Sequence, residues 1–167
     1  RVFFGESTNK ILTERVIKIK ELFERVQIHY VIPDDMIRTL WWKFMINVGI
    51  NQASAAFRSP YGRFQHSGEA RSLMDSAMRE VMIIAQRQGI DINEKDIESW
   101  HEVLSNLSPD GKTSMLQDVE AGRKTEVEMF GGKVIELGRR LRIPTPVNVL
   151  LFQKIREIEY SKKTLLS

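Results

Sequence analysis

The segment Trp41-Trp42-Lys43-Phe44-Met45-Ile46-Asn47-Val48-Gly49-Ile50-Asn51 holds one ammonium and two amides in otherwise apolar surroundings. Lys43, Asn47 and Asn51 stand at i, i+4 and i+8. On an α-helix each such step rises about 6 Å and drifts only about 40°, so the three side chains form one stripe and can face a common cavity. Buried polar groups cost free energy unless they are satisfied. The spacing leaves two readings open. In one, Lys43 is a proton donor or an anion anchor, its pKa lowered towards the working range by apolar walls, and the asparagines orient a polar substrate. In the other, Lys43 snorkels to solvent and the asparagines bond backbone or water between helices.

Further along, Ser114 with Gln117 three residues on makes a capping box, and Glu126 falls in the first turn after a Thr125 cap, so each has a structural reason to exist beside any chemical one. Asp118 and Arg123 are spaced to pair with each other or with neighbouring helices. Gly131-Gly132 inside a helix points to close helix packing, at a propensity cost of about 1 kcal/mol each. His29, His66 and His101 lie in different segments without metal-ligand spacing, and the chain has no cysteine. Disulfides, thiolate zinc sites and cysteine nucleophiles are therefore excluded, and no metal site is expected. No G-x-G-x-x-G or phosphate-loop pattern occurs, so no dinucleotide site can be argued from these residues.

The elements that must position these groups are mostly helical. Val2-Phe3-Phe4-Gly5 reads as the end of a buried strand, Asn9 to Arg25 as a helix with Leu12, Val16, Ile19 and Phe23 on one face, and Val26 to Val31 as a second strand. Such a strand-helix-strand at 1–32 looks like the closing βαβ unit of a larger sheet. From Pro33 the period is helical throughout. Asp34 caps a long central helix from Met36 to Ala56; Ser67 caps the next, which ends at Gly89; Asn93 starts a third. After the turn Ser108-Pro109-Asp110-Gly111 come a short helix, Ser114 to Glu120, and a longer one from Thr125 to Leu141. Pro146 then opens the last, behind a Thr145 cap. The expected domains are 1–32, 33–161 and a tail at 162–167.

Twenty-five Lys and Arg against 22 Asp and Glu give a net charge of +3, but the signs alternate along the helices, which argues against a nucleic-acid partner. The cluster Arg139, Arg140, Arg142 sits at a helix end, where the macrodipole favours it. No apolar run approaches the roughly 18 residues of a membrane span, and no secretory leader pattern is present. The expectation is a cytoplasmic protein with no membrane partner.

In order, the residues around Trp41, Lys43, Asn47 and Asn51, then Ser114-Met115-Leu116-Gln117-Asp118, then Gly122-Arg123-Lys124-Thr125-Glu126, then Ile143-Pro144-Thr145-Pro146-Val147-Asn148, resemble the C-terminal domain of ketopantoate reductases, also called 2-dehydropantoate 2-reductases. The likeness spans about Gly5 to Glu159. It implies a mainly α, multi-helix domain of the 6-phosphogluconate-dehydrogenase-like type, preceded by a strand-helix-strand remnant of a Rossmann domain. It implies NADPH, bound mainly by an N-terminal domain, and a 2-oxo acid reduced to the 2-hydroxy acid on the route to pantothenate and coenzyme A. By the same resemblance Lys43 and Glu126 are catalytic, Lys43 as the general acid; Asn47, Asn51 and Ser114 bind substrate; and Glu126 supports substrate binding and binds the cofactor near the nicotinamide ribose. The first residues match the end of the family's nucleotide domain, so the chain is expected to be a fragment, inactive alone. Gln52 departs from the proline common in the best-known pantothenate enzymes, so another branched 2-oxo acid is an alternative substrate. A helical dimerisation or interaction domain is the alternative from a different class, and a homodimer fits either.

Overall fold

The computed structural model describes residues 1–164; of the expected tail, 162–164 end the last helix and the rest lies outside the described residues. The chain divides into two compact units, Arg1–Lys43 and one that begins at Phe44.

In the first unit, strand β1 (Val2–Phe3), helix α1 (Glu14–Arg25) and strand β2 (Tyr30–Val31) form a parallel βαβ motif, with Val2 opposite Tyr30 and Phe3 opposite Val31. Phe4 sets its ring edge-on against Phe23 and Tyr30, at 5.1 and 5.6 Å between centroids, and Val16 is fully covered. Helix α1 ends at Arg25 as expected but starts later, for a local reason. Asn9 is drawn out of the helix because its amide ties the preceding loop together, accepting from Glu6 N and donating to the Glu6 and Pro33 carbonyls, so Thr13 is the cap instead. Val26 closes α1 and Gln27 takes a left-handed φ of 57°, which leaves only Tyr30 and Val31 to pair in the second strand. Glu6 accepts hydrogen bonds from Arg15 and Thr13, and these hold its carboxyl below the ordinary value.

Helix α2 (Met36–Ile46) is capped by Asp35, whose Oδ1 accepts from Arg38 N at 2.8 Å. The expected cap, Asp34, lies one residue too early: Asp35 directly precedes Met36, and the Asp34 carbonyl accepts from Asn9 N in the entering loop. The expected central helix does not run evenly to Ala56. A π turn (Asn47–Asn51) interrupts it before α3 (Gln52–Phe57). Gly49 in that turn faces α5, and a methyl there would overlap Met78 Cγ, so glycine permits the close approach of the two helices.

Around this centre in the second unit lie α4 (Gly62–Gln65), α5 (Glu69–Arg87), α6 (Glu94–Ser105), α7 (Ser114–Ala121), a second π turn (Glu128–Gly132), α8 (Lys133–Leu141) and α9 (Pro146–Thr164). Ala55 and Ala56 of α3, Ala77 of α5, Met115 and Val119 of α7, Val127, and Leu151 and Ile155 of α9 make one buried apolar cluster. The small residues of α3 let three helices converge on it, and burial of this kind supplies most of the stability of a helical domain. Among the described residues, no helix is long and apolar enough to cross a membrane.

Several ends follow the sequence reading. Asn93 and Asp96 form a reciprocal capping box on α6, Gly89 takes a φ of 79° after α5, and Pro146 is the first residue of α9. Two caps do not. Gly68 rather than Ser67 precedes α5, without a side-chain bond. Thr113 rather than Ser114 caps α7, its buried Oγ1 accepting from Leu116 N at 3.1 Å. Thr113→Ala is expected to lower stability by about 1 kcal/mol in a urea titration, while Ser114→Ala changes it by less than about 0.5 kcal/mol. Equal losses would return the cap to Ser114.

Candidate substrate site

Thr113 takes the capping role, and the Ser114 hydroxyl is thereby released. It stands exposed on the first turn of α7. Glu126 is released in a comparable way. Thr125, buried, donates its N–H and its hydroxyl to Glu159 Oε1 of α9 at 2.8 and 2.7 Å, and its Oγ1 accepts from Val127 N. The Glu126 carbonyl accepts from Met129 N and Phe130 N. The backbone at this point is thus held from both sides, while the Glu126 side chain remains exposed. The expected helix from Thr125 to Leu141 accordingly begins as a π turn at Glu128 and becomes α-helical at Lys133.

Asn47 and Asn51 open and close the first π turn. Bonds of the i→i+5 type widen a turn, so four residues come closer to one full revolution than the α-helical 400° advance. Asn47 is half-buried and Asn51 only 9% exposed. The first π turn packs against α7, which starts with Ser114, and against the second π turn, which starts two residues after Glu126. The tertiary structure therefore brings together the elements that carry Asn47, Asn51 and Ser114, with the second π turn, which follows Glu126, beside them.

Lys43 is described with the first unit. Its side chain is exposed and lines a mostly apolar cavity of about 370 Å³ with Phe3, Met36, Leu40 and Trp42. Apolar walls on one side and solvent on the other combine features of both sequence readings.

Most of the buried polar side chains among the described residues are paired. Buried Gln52, Glu80 and Asn148 bond one another or backbone; buried Thr113 caps α7; Thr125 bonds Glu159; and Asp75 bonds His101 at 2.8 Å. Asp118 and Arg123 pair at 2.7 Å, as their spacing suggests. By contrast, the side chains of Lys43, Asn47, Asn51, Ser114 and Glu126 meet no hydrogen-bonding or ionic partner among the described residues. The Asn51 side chain is largely covered, yet its amide keeps contact with solvent, where a ligand can reach it.

Sequence reasoning missed Glu80. Its carboxylate accepts from Val147 N and Asn148 N at 2.8 and 3.0 Å and so caps α9, a task expected of Thr145. The two partners are 67 and 68 residues apart in the chain, and no local pattern marks such a pair.

In chain order, a parallel βαβ motif precedes a helical unit built around the π turn that bears Asn47 and Asn51. Residues 35–159 match the family described as Ketopantoate reductase PanE/ApbA C terminal, and the chain belongs to that family. The 2-dehydropantoate 2-reductase of Pyrobaculum aerophilum is 31% identical over 150 residues, 89% of this chain and 53% of that protein. That of Pyrococcus horikoshii is 27% identical over 146 residues, 87% of this chain and 48% of that protein. The chain thus spans about half the length of the curated relatives it matches. Among solved structures, a dimeric ketopantoate reductase from Staphylococcus aureus has a TM-score of 0.80 at 20% identity, over 95% of this chain and 54% of that one. D-mandelate dehydrogenase with NADH and anilino(oxo)acetate has a TM-score of 0.79 at 16% identity, over 90% and 51%. These two likenesses establish the fold.

Proposed function

We propose that this chain is the substrate-binding and catalytic half of an NADPH-dependent reductase of 2-oxo acids, with 2-dehydropantoate (ketopantoate) as the preferred substrate. The observation that carries this reading is that the π turn bearing the half-buried Asn47 and the buried Asn51 packs against α7, which starts with Ser114, while neither amide meets a hydrogen-bonding partner among the described residues. Family membership supports the reaction type.

A 2-oxo acid brings a carboxylate and a ketone, both acceptors. The Lys43 ammonium attracts the anion and donates a proton to the ketone oxygen, where charge develops as the carbonyl carbon is reduced. Asn47, Asn51 and the Ser114 hydroxyl donate to the substrate's oxygens and fix its orientation. The nicotinamide cofactor, when bound, supplies the hydride. Glu126 fits one part of that cofactor: an exposed carboxylate without a partner has the acceptor chemistry that a ribose hydroxyl needs. The chain offers no glycine-rich phosphate cradle, so the phosphates are assigned to an N-terminal nucleotide-binding domain, in keeping with relatives about twice as long. The dimeric Staphylococcus aureus relative supports a homodimer.

The test is NADPH oxidation by the full-length protein with ketopantoate and, side by side, ketoisovalerate and ketoisocaproate. Preference for ketopantoate is expected. Preference for a simpler acid would keep the mechanism and reassign the substrate, and inactivity on all three would favour a helical interaction domain instead.

A further inference from the structure

We infer that Gln52 is a positioning residue for the substrate amides: it clamps the π turn that carries Asn47 and Asn51 and couples it to the second π turn, which follows Glu126. The inference rests on the substrate-binding role proposed for the two asparagines.

Gln52 is fully buried. Both hydrogens of its amide are committed, one to the Val48 carbonyl and one to Asn148 Oδ1, each at 2.9 Å. Asn148 is itself fixed, since its Nδ2 donates to Glu80 Oε2 at 2.7 Å and to the Ala77 carbonyl. Acceptors on both sides therefore set which way the Gln52 amide points. The Val48 carbonyl is the one that the backbone N–H of Gln52 would take in an α-helix. Here the side chain occupies it, and that N–H is directed to the Gly49 carbonyl. A side chain inserted into the i→i−4 ladder is a recognised cause of helix irregularity, and this one sits where the π turn returns to α geometry.

The remaining polar atom, Gln52 Oε1, is buried and accepts no hydrogen bond. It lies over Gly131 in the second π turn, where a methyl group would overlap it. The amide thus donates twice and leaves its oxygen against the Gly131 backbone, an arrangement that packing alone does not require. Its placement becomes intelligible if it holds two irregular turns in register: one bears Asn47 and Asn51, and the other fixes the backbone that presents Glu126. Gly131 is then bare because the amide must pass.

The test uses the full-length protein with Gln52→Met, which keeps side-chain length and removes the amide, and Gly131→Ala, which disturbs the same contact from the other side. Asn51→Ala is the reference for loss of a substrate amide. Each of the first two is expected to raise KM for the 2-oxo acid about tenfold, with kcat within about threefold and KM for NADPH unchanged. Hydrogen exchange at residues 47–52 should quicken in both. The double variant should do no more than the worse single, since both act on one contact. A merely structural role would lower the melting temperature and leave both KM values in place. That result in Gln52→Met and Gly131→Ala, with Asn51→Ala still raising KM, overturns the inference and spares the proposed function. An unmoved KM in Asn51→Ala removes the substrate amides from the proposed function, and the inference with them. If Gln52→Met does not fold, Gly131→Ala decides alone.

Discussion

Replacing Lys43 by alanine in the full-length protein is expected to lower kcat for 2-oxo-acid reduction by about 10²- to 10⁴-fold, the usual worth of a positioned general acid. The ketone oxygen gains negative charge as hydride reaches the carbonyl carbon, so the contribution of an ammonium there grows from ground state to transition state. Such an interaction appears in kcat and kcat/KM together. Lys43 has no acidic partner among the described residues, so its charge is not already spent within the chain. Lys43→Arg separates charge from proton donation: a guanidinium holds the carboxylate but gives up its proton far less readily. It is expected to recover substrate KM and not kcat. Because the Lys43 side chain is exposed, neither change should move stability by more than about 0.5 kcal/mol. Turnover within a few-fold of wild type would remove Lys43 from the chemistry.

Glu80→Leu is expected to cost about 3–5 kcal/mol of stability, the largest effect of any change away from the site. The carboxylate is only 7% exposed and accepts from three donors: Val147 N, Asn148 N and Asn148 Nδ2. Its charge is compensated by the N-terminus of α9, whose first amides point at it. Leucine fills the space but strands all three donors, and each stranded buried donor costs about 1–3 kcal/mol, partly recovered by relaxation. For a domain of this size the loss corresponds to a fall in Tm of roughly 6–20 °C, to be read by calorimetry. Glu80→Gln, which keeps one acceptor oxygen, should fall between. A loss below about 1 kcal/mol for Glu80→Leu would mean that α9 is anchored by its apolar face alone.

Much of the molecule is legible in the sequence because its signals are local. The stripe Lys43, Asn47, Asn51 shows itself against apolar neighbours, and Asn93 marks the start of its helix by its own residue type. Asp118 and Arg123 lie five apart and do pair. Errors arose where two adjacent residues offered the same chemistry. Thr113 and Ser114 both carry hydroxyls, and Asp34 and Asp35 both carry carboxylates; burial of Thr113 and the bond from Asn9 N to the Asp34 carbonyl decided between them.

The sequence by itself determined a mainly helical chain after a βαβ opening, the absence of cysteine chemistry, and which polar residues were candidates for a ligand. Those follow from side-chain type and from periods of two to four residues, which the chain imposes on itself. Only the tertiary structure decided the π turns, the Glu80 cap and the amide bridge from Gln52 to Asn148, partners 96 residues apart. A helix closes its own turns by short-range bonds, so a departure from α geometry must be held from outside. Here it is held by a glycine against Met78, an amide against Asn148 and a bare backbone at Gly131, none of which is visible until distant segments meet.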